Sequence, residues 1–261
     1  MKIKEQSASP KSPIMLGAEI GRGGYGTVYV KADDPGLCVK VSNKKSANES
    51  CRKWSNEHKK IRGVISAIGE ELKKMKMVRV ITPVAFRESS EECYMVLPRI
   101  YRPEGRDYTA KPTIQAQLGL VSGSMIHKGR GEFLGLKECA AIVGDRGDLE
   151  RACYELGAVM GLIHFRGKND AYDVEVYLGK EAGSKKCRFY IADFDLTEEI
   201  KELDDPVTLE RMTWSIDAVP YFPTTHSDEA LFELFRKGYK EIADGCGVDE
   251  SVVEAVFENY G

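Results

Sequence analysis

Gly21-Arg22-Gly23-Gly24-Tyr25-Gly26 sets glycines in a G-x-G-x-x-G spacing. Backbone N–H groups in such a loop can close on phosphate oxygens because no β-carbon intervenes. The residues that follow decide what kind of loop it is. A dinucleotide-binding fingerprint opens a helix, whereas Thr27-Val28-Tyr29-Val30-Lys31 is a β-type run, so the glycines belong to a strand-turn-strand hairpin. The next run, Leu37-Cys38-Val39-Lys40-Val41, carries one ammonium among apolar residues, where burial without a partner is costly. Glu57 lies three residues after Trp54 and four before Ile61, which puts its carboxylate on or beside the apolar face of a helix. Pairing Lys40 with Glu57 reconciles two charges that are each awkward alone. Taken singly, each feature also fits a plainer role: a glycine-rich hairpin, a surface lysine on an edge strand, a solvated glutamate.

The elements that must hold these residues are readable from periodicity. IMLGAEI, TVYVKA, GLCVKV, VRVITPVAF and CYMVLPRI are short Val-, Ile- and Tyr-rich runs bounded by Gly, Pro, Asn and Asp, which predicts strands. Between them Cys51, Trp54, His58, Ile61 and Ile65 recur at helical spacing over residues 48–68. After the Pro/Gly/Arg-rich stretch RPEGRDYTAKP the pattern turns mainly helical. Leu149, Cys153, Leu156, Met160 and Ile163 predict one helix with Asp148 as its N-cap. Leu231, Leu234, Phe235 and Ile242 predict another, and Val252, Val253, Val256, Phe257 and Tyr260 a last one after Asp249. VEVYLG and CRFYIADF read as two strands around the GKEAGSKK turn. Residues 103–147 give no clear pattern, and residues 1–13 read as a polar, frayed leader.

Composition sets the outer bounds. With 261 residues, 42% apolar and 30% charged, the chain can bury a core without staples. A balance of 38 Lys and Arg against 41 Asp and Glu argues against general nucleic-acid binding. No run approaches the roughly 18 apolar residues of a membrane span, and the polar start lacks a signal-peptide core, so an intracellular, cytoplasmic location is expected. The seven cysteines are scattered and odd in number, with no C-x-x-C pair, which predicts reduced thiols, no disulfide and no zinc.

In this order, the glycine hairpin, strand lysine and helix glutamate of residues 14–100 resemble the small lobe of a protein kinase. The resemblance implies an ATP site in which Gly21, Gly23, Gly24, Gly26 and Lys40 meet the phosphates, with Glu57 holding Lys40. Tyr94-Met95-Val96-Leu97 is similar to the strand leading to the hinge. Leu97 then stands as gatekeeper, Pro98 to Ile100 run beside the adenine, and Ile20 and Val28 help enclose the base. Arg188 to Asp195 reads as a strand ending in Asp-Phe-Asp, similar to the Asp-Phe-Gly of kinases, and implies Asp193 as a magnesium ligand. Lys168-Asn169-Asp170-Ala171-Tyr172-Asp173-Val174-Glu175 aligns with the catalytic loop, which implies Asp170 as the catalytic aspartate and Glu175 as the second metal ligand. A competing alignment on His164 puts Arg166 where an aspartate is required.

Three positions depart from the kinase pattern: Lys168 stands for the usual His, Glu175 for Asn and Asp195 for Gly. No Ala-Pro-Glu follows; the nearest anchor is Val219-Pro220-Tyr221-Phe222-Pro223, with Thr197, Thr208, Thr213 and Ser215 before it. The resemblance implies an α+β, bilobal protein-kinase-like fold, with a β-rich N-lobe over 14–100 and a shortened helical C-lobe over 101–261. The leading expectation is an ATP- and magnesium-dependent phosphotransferase, a divergent Ser/Thr protein kinase that moves the γ-phosphate to a hydroxyl acceptor. Asn-Asp and Asp-Phe-Asp are also similar to choline-kinase and aminoglycoside-kinase sites, which implies a small-molecule acceptor as the alternative; a catalytically inactive pseudokinase scaffold is the third. The run Asp170 to Glu175, with Pro-Tyr-Phe-Pro, also resembles a eukaryotic domain family of unknown function.

Overall fold

Alternating β-branched and aromatic residues build the first strands as expected. The computed structural model of the chain describes residues 14–22, 26–42, 47–88, 92–103, 114–121, 124–127, 131–217 and 220–258. The leader, Gly23 and Gly24 lie outside the described residues. β1 (Leu16–Arg22), β2 (Gly26–Lys31) and β3 (Leu37–Ser42) are followed by α1 (Ala47–Leu72). The expected strand VRVITPVAF is cut at Pro83 into β4 (Val78–Val80) and β5 (Ala85–Glu88), and β6 (Cys93–Pro98) follows. Five of these strands form an antiparallel sheet in the order β1-β2-β3-β6-β5.

β4 leaves that sheet for a second one. The backbone N–H groups at its start are drawn to the carboxylate of Glu155, which accepts from Met77 N, just before β4, at 2.6 Å and from Val78 N at 3.1 Å. The second sheet adds β7 (Ile114–Gln117), β8 (Ser124–His127), β9 (Gly131–Gly135), β10 (Glu175–Gly179) and β11 (Arg188–Ala192), in the order β4-β11-β10-β7-β9-β8. β4 runs parallel to β11, pairing Val78 with Phe189. The part of the chain after residue 101 is therefore not simply helical: it is mixed, with strands in the stretch from 114 to 135 that showed no pattern in sequence.

The later helices are α2 (Leu136–Val143), α3 (Arg146–Gly161), α4 (Pro206–Asp217), α5 (Thr225–Gly245) and α6 (Glu250–Phe257). The α3 cap is Asp145, whose side chain accepts from Asp148 N, and not Asp148 itself. A carboxylate three residues earlier reaches the free amides of the first turn, and Asp148 becomes the acidic residue of that turn. α6 follows Asp249 as expected, and the Asp249 side chain caps it, accepting from Ser251 N. α3 and α5 touch backbone to backbone: a β-carbon on Gly157 would lie 1.8 Å from the Phe235 carbonyl oxygen, and one on Gly238 would lie 2.1 Å from that of Tyr154.

Two apolar clusters result. The larger joins Ile61, Val64 and Ile68 of α1 with β4, the inner face of the second sheet and helices α3 to α6. The smaller, Cys51, Trp54, Cys93 and Met95 with Phe86 and Leu97 against it, lies between the first half of α1 and the first sheet. Here the expectation of reduced thiols is corrected. Cys51 of α1 and Cys93 of β6 form a disulfide across 42 residues, with Cα atoms 5.4 Å apart. Packing α1 on the sheet brings together two cysteines whose spacing in sequence says nothing of it. Cys38, Cys139, Cys153, Cys187 and Cys246 remain free thiols. No helix among the described residues is long and apolar enough to cross a membrane.

Candidate functional site

Strand register gathers part of the expected set on one face. Val28 pairs with Lys40, Lys40 with Met95, and Cys38 with Leu97. Partners across a ladder and alternate residues along a strand share a side, so Val28, Lys40, Met95 and Leu97 look toward α1. Gly21 pairs with Val28, and the register slips between Glu19 and Gly21, leaving Ile20 at the irregularity. Ile100 stands in the strand-exit segment, which is held against the end of β10: Tyr101 N donates to Lys180 O at 2.7 Å and Lys180 N to Tyr101 O at 2.9 Å. A β-carbon on Gly179 would sit 2.4 Å from Ile100 Cγ2.

Lys40 stands amid carboxylates. Burial disfavours its charge, but Asp193, then Glu57, Asp195 and Glu175, outweigh that and hold its pKa above the ordinary lysine range. The acids feel the converse. Burial pushes the Asp193 carboxyl up to about 8; Lys40 opposes this, while Glu57, Asp195 and Glu175 add to it. Glu57 is also raised by burial, with Lys40 pulling down and Asp195 pushing up. Glu175 is raised by burial against hydrogen bonds from Tyr177 and Gln115, and Asp173 pushes it further. Four carboxylates around one ammonium leave an excess of negative charge with too little solvent to screen it.

Lys40 and Glu57 do not close into a salt bridge. Glu57 Oε2 is buried without a hydrogen-bond partner, and the Lys40 ammonium instead lies over the Trp54 ring, 5.0 Å from its centroid. Lys60, one turn beyond Glu57, donates to the carbonyl oxygens of Asp195, at 3.3 Å, and Thr197. α1 thereby holds the segment that carries the acids.

Asp193 and Asp195 lie in the loop after β11, and Glu175 opens β10 just beyond the loop at 168–173; both loops are bent against their own side chains. Among the described residues, positive φ at non-glycine positions occurs at Lys168 (48°), Ala171 (50°), Asp173 (62°) and Asp193 (65°). Each left-handed residue costs about 1 kcal/mol, and their clustering in these two loops marks a shape the surroundings impose. The preceding helix gives way to a π-helical turn at Leu162–Arg166. The loops are laced together: Asn169 Nδ2 donates to Thr197 Oγ1 at 3.0 Å, Asp170 N to Glu198 O at 3.0 Å, and Ile200 N to Lys168 O at 2.9 Å.

Asp170 is the most tightly held of the expected residues. Only 2% exposed, it accepts at Oδ1 from Glu198 N at 2.8 Å and Tyr172 N at 3.1 Å, and at Oδ2 from Arg211 Nε. The Arg211 guanidinium also donates to Leu196 O at 2.8 Å and lies 4.3 Å from the Tyr172 ring centroid. Tyr172 in turn packs on Trp214 at 5.6 Å. Behind the loop, His164 is fully buried between Tyr239 Oη at 2.7 Å and Ser215 Oγ at 3.2 Å. Burial lowers its pKa to about 4, against the influence of Asp170.

Periodicity gave no hint of Arg211, Gln115 or Lys60, whose partners lie far away in the chain. Trp54 had a signal, its place one turn before Glu57, but that spacing equally marks a core residue. Among the described residues no group of three or more His, Cys, Asp and Glu side chains is arranged to hold a metal ion by itself. Asp193 and Glu175 nonetheless fit magnesium brought by a nucleotide, since that ion takes one or two carboxylates with phosphate oxygens and water completing its shell. No protein-family model and no curated protein matches the chain.

Proposed function

We propose that the chain is an ATP- and magnesium-dependent phosphotransferase of protein-kinase-like fold, with a divergent Ser/Thr protein kinase as its leading form. The observation that supports this best is the placement of Lys40 on the same strand face as Val28 and Leu97, amid Glu57, Glu175, Asp193 and Asp195. An excess of buried and half-buried carboxylates around one ammonium is relieved by a divalent cation, and the ammonium complements a polyphosphate. In this reading the hairpin of β1 and β2 covers the phosphates and Lys40 binds them. Val28, Leu97, Ile20 and Ile100 border the base, and Asp193 and Glu175 hold magnesium. Bound magnesium neutralises charge on the phosphates. Catalysis of this class is chiefly positioning and charge stabilisation.

Asp170 serves as proton acceptor for the hydroxyl only when Arg211 withdraws from Oδ2, because the carboxylate is otherwise enclosed. That same enclosure favours a second reading, a nucleotide-binding scaffold that transfers nothing. Transfer from γ-labelled ATP into protein and metabolite mixtures, comparing the parent chain with Lys40→Ala and Asp193→Asn, separates the two. The first reading expects label in an acceptor from the parent and at least about a hundredfold less from each variant. Nucleotide binding with no label in any acceptor would leave the scaffold, and label undiminished in both variants would remove the site assignment.

A further inference from the structure

Trp54 touches both parts of the phosphate site and belongs to neither in the kinase pattern. It is 2% exposed and lies in α1 between the disulfide-bonded Cys51 and the buried Glu57. Its ring carries the Lys40 ammonium at 5.0 Å. The same ring reaches under the last glycine of the hairpin: a β-carbon at position 26 would lie 2.6 Å from Trp54 Cη2, 2.8 Å from Cζ2 and 2.6 Å from the Val41 carbonyl oxygen. The indole and the Val41 carbonyl together leave no room for a side chain at position 26. Glu57, the partner that charge alone would choose for Lys40, is left with Oε2 unbonded.

An ammonium over an indole face is attracted by the ring quadrupole, most strongly where solvent is excluded. That attraction fixes the direction of the ammonium without neutralising it, so the charge stays available to an anionic ligand. A contact carboxylate would compete with the phosphates for the same protons.

Resting on the nucleotide reading above, we propose that Trp54 is the positioning residue for Lys40: it aims the ammonium at the phosphates and seats the start of β2 at Gly26 beside it. Trp54 acts through Lys40 and touches no reacting atom. The disulfide supports the arrangement by clamping the first half of α1 to β6, one turn from the indole.

The test begins with calorimetric titration of the parent chain with ATP and magnesium. Absence of binding there would end the nucleotide reading and this proposal together. Given binding, Trp54→Leu weakens ATP affinity by about tenfold, and Trp54→Phe, which keeps an aromatic face, recovers to within about threefold of the parent. The decisive comparison is a double-mutant cycle. In a Lys40→Met background Trp54→Leu causes no further loss, because its effect passes through the ammonium; an equal loss in both backgrounds means packing alone and overturns the proposal while the nucleotide reading stands. Should Trp54→Leu fail to fold, emission decides. With Trp214→Phe, Trp54 becomes the sole tryptophan of a chain that has two. Lys40→Met then changes its spectrum and intensity; an unchanged spectrum overturns the contact.

Discussion

The carboxylates around Lys40, one buried at Glu57 and three half-buried, and the buried carboxylate of Asp170 are held in opposite ways. Asp170 has a cation on one oxygen and two backbone amides on the other. The Lys40 cluster has more acids than cations, an unbonded Glu57 oxygen and an Asp193 carboxyl pushed up to about 8. Native chains satisfy nearly all buried polar groups, so a satisfied acid reads as architecture, while an unbonded buried oxygen such as Glu57 Oε2, amid acids in excess of cations, points to a ligand. By this criterion Asp170 ties the loop at 168–173 to the segment at 194–200, and the neighbourhood of Lys40, Asp193 and Glu175 is where the proposed nucleotide and magnesium would bind.

The contrast breaks most visibly at Arg211. Arg211→Ala strips the cation from a buried carboxylate, and urea denaturation should show a loss of about 3 kcal/mol. A loss under about 1 kcal/mol would mean that Asp170 is not held as the structure places it. Next in size is the acid limb of the stability curve. His164 has a folded pKa of about 4, below the ordinary histidine value of 6.5, so between these values the unfolded chain binds the extra proton. Stability is complete above about pH 6.5 and falls as pH drops toward 4, by at most about 1.4 kcal/mol per pH unit from this group. His164→Asn should flatten that limb in chemical denaturation series.

Asp193 has the opposite sign. Its folded pKa lies above its unfolded value, so the folded chain holds the extra proton, and stability declines as pH rises from about 4 to about 8. Asp193→Asn should therefore gain on the order of 1 kcal/mol over the ligand-free parent at pH 8 and nothing near pH 4, while abolishing magnesium-dependent nucleotide binding. A variant less stable than the parent at pH 8 would show that the cluster is not strained. The smallest effect belongs to Trp214, which is 51% exposed. Trp214→Ala should change stability by no more than about 0.5 kcal/mol, despite its contact with Tyr172; a larger loss would extend the tightly held region onto the outer face of α4.

What could be read from residues alone follows from how far each signal travels. β2, β3 and β6 carry their own alternation, and α1 its own 3-to-4 spacing, so their positions were accessible. β4 resembled its neighbours in composition, but its sheet is chosen by Glu155 and Phe189, roughly a hundred residues later in the chain. The strands from 114 to 135 are too short and too glycine-rich nearby to announce themselves. The disulfide depends on how α1 seats on β6, a tertiary fact. At the site, Lys40 and Glu57 were chosen through residue type in context, and Glu175 and Asp193 through the kinase resemblance; the structure couples the four electrostatically. The grip of Arg211 on Asp170 and of Trp54 on Lys40 could not be found that way, since an arginine or tryptophan at helical spacing has many ordinary uses.

The central claim, that the Lys40 cluster is a nucleotide site completed by magnesium, is tested most directly by thermal unfolding of the full chain at pH 7.5. Four conditions suffice: no ligand, magnesium alone, ATP alone, and both. The account predicts that ATP with magnesium raises the midpoint by more than the separate shifts combined, and that Asp193→Asn abolishes this excess. Additive shifts, or an excess that persists in Asp193→Asn, would contradict it.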